Sequence, residues 1–386
     1  MIDRALIGRG RYQLWLAGWL IPVGVGLACY LFQSAHGLGI TGMGRDVIWG
    51  FYVAQFTFLV GIAASAVMVV APFYLHDCRE FARIVILGEF LAVTAVILCL
   101  LHIFVDLGQP ARVLNVLLHP SPGSVMFWDM IVLTGYLGLN LVIAWTTLDC
   151  ERNATRPPGW IKPLIFLSIP WAVAIHTVTA FLYSGLPGRH LWLTAVVAPR
   201  FLATAFSSGP ALLVLLCLLL KKAAGFNAGD EGLRRLSHTI VYAMIANLFF
   251  IFVECFTAFY SGVPSHRHDL QYLFWGLDGH AVMVPWMWLS LLMAVASIPI
   301  LLCSIRRGNQ RRLALACGLV LISTWIDKGL GFVAGGLAIS PMGTVTSYAP
   351  TVPELLISLG IYAVGVLLLT LFYRIVLSVR AETESS

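Results

Sequence analysis

The sequence predicts an all-α integral membrane protein with ten transmembrane helices. Only 11% of its 386 residues are charged, compared with about 25% in soluble globular proteins, and 59% are hydrophobic. A soluble chain of this length would need more charged surface to cover its cores. Ten apolar stretches, each long enough to cross a bilayer, account for this composition. A soluble enzyme, a nucleic-acid-binding protein and a disordered protein are excluded.

Each apolar stretch has roughly 20 residues or more, which spans the ~30 Å hydrocarbon core of a bilayer at ~1.5 Å per residue. The first stretch contains Pro22 and Gly24 and is too long for a cleaved signal peptide, so we count it as a helix. We expect a single membrane domain over residues 1–386. The predicted helices cover about residues 14–33, 48–75, 84–105, 124–148, 163–186, 199–220, 239–262, 281–305, 313–335 and 354–379.

The distribution of positive charge predicts that both termini lie in the cytoplasm. In that orientation most of the 24 Lys and Arg residues fall on the cytoplasmic side, including Arg4, Arg9 and Arg156. The net charge of +6 therefore reflects topology and indicates no nucleic-acid partner. Tryptophans near helix ends are expected at the membrane interfaces. These residues are Trp15, Trp19, Trp49, Trp192, Trp275, Trp286 and Trp288.

The eight cysteines are scattered singly along the chain. The sequence has no Cys-x-x-Cys pair, no Cys-x-x-Cys-His motif for covalent haem and no ferredoxin-type cysteine run. Most cysteines fall within predicted helices, where a thiol usually serves as a small core residue. We therefore expect no iron–sulfur cluster in this chain.

Three predicted helices end in a similar pattern of glycine, proline and arginine, at residues 108–112, 185–189 and 262–267. Glycine suits a left-handed C-cap, proline cannot continue the helix, and arginine complements the negative end of the helix dipole. The last two segments also share Thr-Ala-Phe and Tyr-Ser-Gly, which helix termination does not require. This similarity predicts tandem helical hairpins that form two bundles, with His176 and Glu254 in equivalent positions.

Ionisable side chains at membrane depth are costly and mark a site or a pathway by default. Counting residues along each helix places most of them in the outer third of the membrane. Lys328 is the neighbour and candidate partner of Asp327, and Glu89 lies in the inner third. The groups in the outer third are His102, Asp106, Asp129, His176, Glu254 and Asp327.

Such a cluster suits three kinds of site. A quinone head group needs proton acceptors when it loses electrons, and imidazole and carboxylate groups serve that role. A secondary transporter would favour mid-membrane sites and inverted repeats, whereas the repeats here run in the same direction. His102 and His176 would ligate one b-type haem if they faced each other. Simpler alternatives are an interfacial role for His102 and a capping role for Asp106.

Several segments resemble the NrfD/polysulfide-reductase membrane-subunit family. Residues 106–112 (DLGQPAR) are similar to the family's Asp-Leu-Gly-Arg-Pro-x-Arg signature, with Gln109 in place of its usual arginine. Residues 176–210, 327–331 and 348–354 resemble the branch of ten-helix subunits that includes DsrP and HmcC. Within that branch, the resemblance to DsrP of the Dsr sulfur-metabolism complex is the closer.

The resemblance implies a non-haem subunit that exchanges electrons between the membrane quinone pool and an extracytoplasmic multi-cluster iron–sulfur subunit. The cofactor would be menaquinone or ubiquinone, bound near the outer face. A DsrP-like complex would add a multihaem cytochrome c, a haem-b membrane subunit and a cytoplasmic iron–sulfur subunit. The main alternative is a secondary transporter or ion-translocating subunit.

We therefore assign roles to the outer cluster as a hypothesis. His102 and Asp129 would bind the quinone oxygens and exchange protons with them. The remaining quinone-binding residues would be His176, Tyr183 and Arg200, and the residues predicted to relay protons are Glu254, Asp106 and Glu89.

Overall fold

A computed structural model describes residues 10–153, 155 and 157–385. Arg4, Arg9 and Arg156, which entered the orientation argument, lie outside the described residues. The described chain has ten helices that are long and apolar enough to cross a membrane, as the sequence predicts. These are α1 Gly10–His36, α2 Phe51–His76, α3 Val85–Asp106, α4 Val125–Arg152, α5 Ile161–Ser184, α6 Val197–Ala224, α7 Asp230–Tyr260, α8 Val284–Arg307, α9 Gln310–Ala338 and α10 Val352–Ala381.

An even number of crossings places the start of α1 and the end of α10 on the same side of the membrane. We call the opposite side the distal face; the sequence predicts that it is extracytoplasmic. The helix ends agree with prediction to within a few residues except at α7, which begins at Asp230, nine residues before the predicted start. Its first turn carries Asp230 and Glu231, which complement the helix dipole. Because these residues are charged, a prediction based on apolar stretches starts the helix too late.

Three irregular features were not predicted. Residues 64–66 form a turn that interrupts α2. Within α9, Trp325–Gly331 forms a π-helical segment between two α-helical parts. A short surface helix, Pro264–Phe274, lies between α7 and α8. A π turn changes the direction in which successive side chains point, and such turns are frequent at functional sites.

Helix α2 forms the centre of the structure. Every residue of Phe51–Ala63 is buried, and α2 packs against α3, α5, α6 and the π-helical segment of α9. By contrast, few residues of α1 are buried, and this helix packs mainly against α10. At that contact, a Cβ added to Gly26 would lie 2.8 Å from the Cα of Gly360, so only glycine permits the approach.

The segment Tyr348–Glu354 ties the distal loop to the start of α2. Glu354 accepts hydrogen bonds from the Thr351 backbone N–H (2.8 Å), the Gly42 N–H (2.8 Å) and the Tyr348 hydroxyl (2.5 Å). The Tyr348 oxygen in turn accepts from the Phe51 N–H at 2.7 Å, which satisfies one of the open donors at the start of α2. The segment Tyr348–Glu354 therefore has a structural role as well as a resemblance to the family branch.

The expectation of left-handed glycine caps is correct at one of the three helix ends. Gly262 has a φ of 68°, whereas Gly185 has a φ of −74° and Gly108 is not among the glycines with positive φ. Arg189 does complement a helix end, but that end belongs to α9. Its guanidinium donates to the Leu337 carbonyl (3.1 Å) and to the Ile339 carbonyl (3.0 Å).

Candidate functional site

His102 and His176 are fully buried in the distal halves of α3 and α5. In each ring Nδ1 contacts the carbonyl one turn back, Leu98 at 2.9 Å and Ala172 at 2.6 Å. Since a carbonyl only accepts, each Nδ1 carries the hydrogen, and Nε2 of the neutral ring has a free lone pair. Neither Nε2 has a hydrogen-bond partner within the described part of the chain. Both imidazoles can therefore accept a proton.

Asp129 lies in the first turns of α4 and is also buried. Its carboxylate accepts a hydrogen bond from the Thr179 hydroxyl of α5 at 2.6 Å. One turn further along α5, the Tyr183 hydroxyl contacts the Thr57 hydroxyl of α2. Two side-chain hydrogen bonds thus join α4 and α2 to the same face of α5. Among the described hydrogen bonds, none joins His102 to Asp129.

An aromatic cluster covers Tyr183. The Tyr183 ring meets Trp49, Trp192 and Phe332 at centroid distances of 5.0 to 5.5 Å. Trp192 is completely buried, so its expected place at the membrane interface was wrong. Its indole N–H donates to the Phe332 carbonyl at 2.8 Å, and a Cβ on Gly336 would lie 2.2 Å from the ring. The loop between α5 and α6 therefore folds inward over the helices.

Arg200 of α6 lies in an ion-pair network with two acidic residues of other helices. Its guanidinium contacts Glu254 of α7 at 2.5 Å and Asp327 of α9 at 2.6 Å. The three side chains are only 13%, 12% and 4% exposed. Asp327 belongs to the π-helical segment Trp325–Gly331. The sequence grouped Arg200 with the quinone-binding residues, whereas the polar partners of its guanidinium are these two carboxylates.

The expected pairing of Asp327 with Lys328 was wrong. Adjacent residues of a helix do not face each other, and here Asp327 meets Arg200 while the Lys328 ammonium lies 4.3 Å from the ring centroid of Phe201. It is 3.5 Å from the Phe201 carbonyl oxygen. Gly61 of α2 leaves room for the ammonium, since an added Cβ there would be 3.3 Å from it. A buried ammonium over an aromatic face gains cation–π stabilisation.

A cavity of about 230 Å³ extends from Glu254 toward the distal face. Its lining includes His190 of the loop before α6 and His266 of the surface helix, whose ring centroids are 6.0 Å apart. Thr194 and Thr257 add hydroxyl groups. Glu254 thus contacts Arg200 on one side and borders a partly polar cavity on the other.

Glu89 and Asp106 lie in the two end regions of α3. Glu89 is fully buried, and neither carboxylate oxygen has a hydrogen-bond partner among the described residues. Asp106 is the last residue of α3, and its shielded Oδ1 likewise has no described partner. No described hydrogen bond connects either residue to His102.

Asp269 of the surface helix is buried outside the spanning helices. Burial raises its pKa to about 7, while a hydrogen bond from the Leu191 backbone and the nearby Arg189 guanidinium oppose that rise. Oδ2 has no hydrogen-bond partner among the described residues. The carboxyl group therefore titrates near neutral pH at the distal face.

Comparison with known proteins identifies the family of the chain. Residues 39–335 match the family described as "Polysulphide reductase, NrfD". The chain belongs to the NrfD family. The membrane component of a putative dimethyl sulfoxide reductase of Halobacterium salinarum is 26% identical, over 98% of this chain and 94% of the relative. The integral membrane subunit of menaquinone reductase from Nitratidesulfovibrio vulgaris is 22% identical, over 94% of this chain and 91% of the relative.

The fold also resembles that of a solved structure from outside these relatives. The bd oxidase of Geobacillus thermodenitrificans superposes with a TM-score of 0.53 at 9% identity, over 94% of this chain and 98% of that chain. At such low identity the likeness concerns the fold alone. Together with the ten apolar helices, the family match identifies a multi-pass membrane protein.

Proposed function

We propose that this protein is the quinone-interacting membrane subunit of a redox complex. It exchanges electrons between the membrane quinone pool and a partner subunit that holds redox centres on the distal face. The observation that carries the proposal is the set of buried proton acceptors close to that face: His102 and His176, each with a free Nε2, and Asp129. The menaquinone reductase relative supports the same class of substrate.

The acceptors match the proton balance of quinone chemistry. Oxidation of one quinol releases two electrons and two protons, and reduction takes up the same number. His102 accepts one proton at Nε2, because the Leu98 carbonyl holds the hydrogen of Nδ1. The Asp129 carboxylate accepts the other while Thr179 keeps it in place. The two electrons would pass one at a time to iron–sulfur centres of the partner, and His176 and Tyr183 would complete the quinone site.

Protons then need a route to water. We assign the distal end of that route to Glu254, whose cavity is also lined by His190 of a distal loop and His266 of the surface helix. We assign Asp106, the last residue of α3, to relay protons at that end, and Glu89 would serve a route from the other face. The resemblance to DsrP favours a partner complex in sulfur metabolism, with an extracytoplasmic iron–sulfur subunit.

The test is Asp129→Asn in the assembled complex. Asparagine still accepts the Thr179 hydrogen bond but cannot take a proton, so quinol turnover should fall by about 10² or more. Asp149→Asn is the matched control, since it makes the same change at the other end of α4. Near-normal turnover of Asp129→Asn, with the control also normal, would refute the proton-acceptor role.

Ion translocation is a second candidate, favoured by the network of Arg200, Glu254 and Asp327 beside a π turn. Transporters commonly place charged groups at irregular points in their helices. A proton-uptake measurement on proteoliposomes that contain the protein alone distinguishes the two functions. Proton uptake driven by a membrane potential, without quinone or partner, would favour translocation, and its absence favours the quinone function.

A further inference from the structure

The structure contains a cavity of about 600 Å³ between α2, α3, α6, α9 and α10, within the ~300–1,000 Å³ typical of small-molecule sites. Nearly all of its lining is apolar. Three lining residues are about half exposed, namely Ile322 of α9 with Leu355 and Leu359 of α10. The cavity therefore opens sideways into the bilayer between α9 and α10.

Gln55 of α2 provides one polar group in this cavity, and its orientation is fixed. Its side-chain oxygen accepts from the Trp325 indole N–H at 2.7 Å and from the Tyr362 hydroxyl at 2.8 Å. Since an indole nitrogen only donates, the amide oxygen must face Trp325 and the amide nitrogen must point elsewhere. That nitrogen is buried and has no acceptor among the described residues.

Ser358 of α10 provides a second polar group in the same lining. Its hydroxyl is buried and has no hydrogen-bond partner among the described residues. A helical serine usually satisfies its hydroxyl by bonding to a carbonyl of the preceding turn. A buried polar group that lacks a hydrogen-bond partner destabilises the folded protein. Both donors lie just behind the apolar lining of one cavity, where a ligand that brings a hydrogen-bond acceptor would satisfy them.

The polar groups lie at one end of a long apolar space. Gln55 is four residues into α2 and Ser358 is six residues into α10, so both lie roughly 6–9 Å below the distal helix ends at ~1.5 Å per residue. The lining continues to Leu369, eleven residues further along α10, which is ~16 Å deeper. The ligand would thus have a small polar head near the distal face and a long apolar tail.

We infer that this cavity is the lateral access position for an isoprenoid quinone, whose carbonyl oxygen accepts from Gln55 and Ser358 and whose tail occupies the apolar part. The inference rests on the proposed function and says where the quinone enters the protein from the bilayer. The lining contains no Lys or Arg to meet a phosphate, which favours an uncharged head over a phospholipid. Tyr362 separates the head from His102, whose ring meets the Tyr362 ring edge-on at 5.6 Å.

The experiment compares Ser358→Leu with Ser378→Leu in the intact complex. The first fills the polar end of the cavity, whereas Ser378 makes the same change on α10 near its other end, where the hydroxyl bonds to its own helix. Quinone that co-purifies is quantified by mass spectrometry, and KM and kcat are measured with a short-chain menaquinol. We expect Ser358→Leu to lose most bound quinone and raise KM at least tenfold, with kcat nearly unchanged and Ser378→Leu normal.

A second variant, Ser358→Ala, keeps the test valid if the leucine disturbs folding, and should raise KM several-fold. Unchanged bound quinone and KM in both Ser358 variants would overturn the inference, as would loss of a phospholipid instead of quinone. If Asp129→Asn abolishes turnover while the Ser358 variants behave normally, the access position is wrong and the proposed function stands. If the unmodified complex neither holds nor oxidises quinol, the proposed function itself fails.

Discussion

Arg200→Gln should strongly destabilise the protein, because it removes the cation from two buried carboxylates. Arg200 contacts Glu254 at 2.5 Å and Asp327 at 2.6 Å, and both acidic side chains are at most 12% exposed. Breaking a buried ion pair by removing one partner costs about 3–5 kcal/mol, since the other charge stays buried without compensation. We expect a loss of free energy of unfolding in this range.

The assay is denaturant-induced unfolding of the purified protein in detergent micelles. Arg112→Gln is the control, since this distal arginine is exposed and a surface change usually stays within about 0.5 kcal/mol. A triple variant, Arg200→Gln with Glu254→Gln and Asp327→Asn, removes all three charges and should recover more than half of the loss. A loss below about 1 kcal/mol, or no recovery in the triple variant, would refute the reasoning.

Two further predictions concern the distal face. Asp269 has a folded-state pKa of about 7 against a usual 3.8, so the folded protein binds more protons between these values and its stability falls as pH rises through them. Asp269→Asn should therefore flatten the decline in melting temperature between pH 5 and pH 8, and an unchanged decline would contradict this account. Gly336→Val should displace Trp192 and cost about 1–3 kcal/mol, measured by unfolding and tryptophan fluorescence. Gly318→Val, in open space on the same helix, is the matched control and should lack this packing loss.

The ten helices could be predicted because an apolar run of about 20 residues is a strong signal that depends on no distant contact. The π turn in α9 could not, since a single shifted turn leaves no periodic pattern. The partner of Asp327 was also missed: Asp327 contacts Arg200 and not its neighbour Lys328, because adjacent residues of a helix do not face each other. Arg200 is also 54 residues from Glu254, and sequence spacing alone does not show that pairing.

The candidate site could be predicted only in part, because the sequence argument counted ionisable groups alone. Counting ionisable groups by depth found His102, Asp129 and His176, all of which are buried in the structure. The same count passed over Gln55 and Ser358, because neutral amides and hydroxyls are common near helix ends. Only the structure shows that both line one cavity and lack partners among the described residues. Trp192 was misplaced because its loop folds inward.

The most direct test of the central claim is to purify the complex gently from membranes, extract its lipids and record an optical spectrum of this subunit alone. The account predicts bound menaquinone or ubiquinone and no haem Soret band on the isolated subunit. A Soret band would instead make His102 and His176 haem ligands. Absence of quinone, together with no turnover of added quinol, would contradict the quinone function and favour transport.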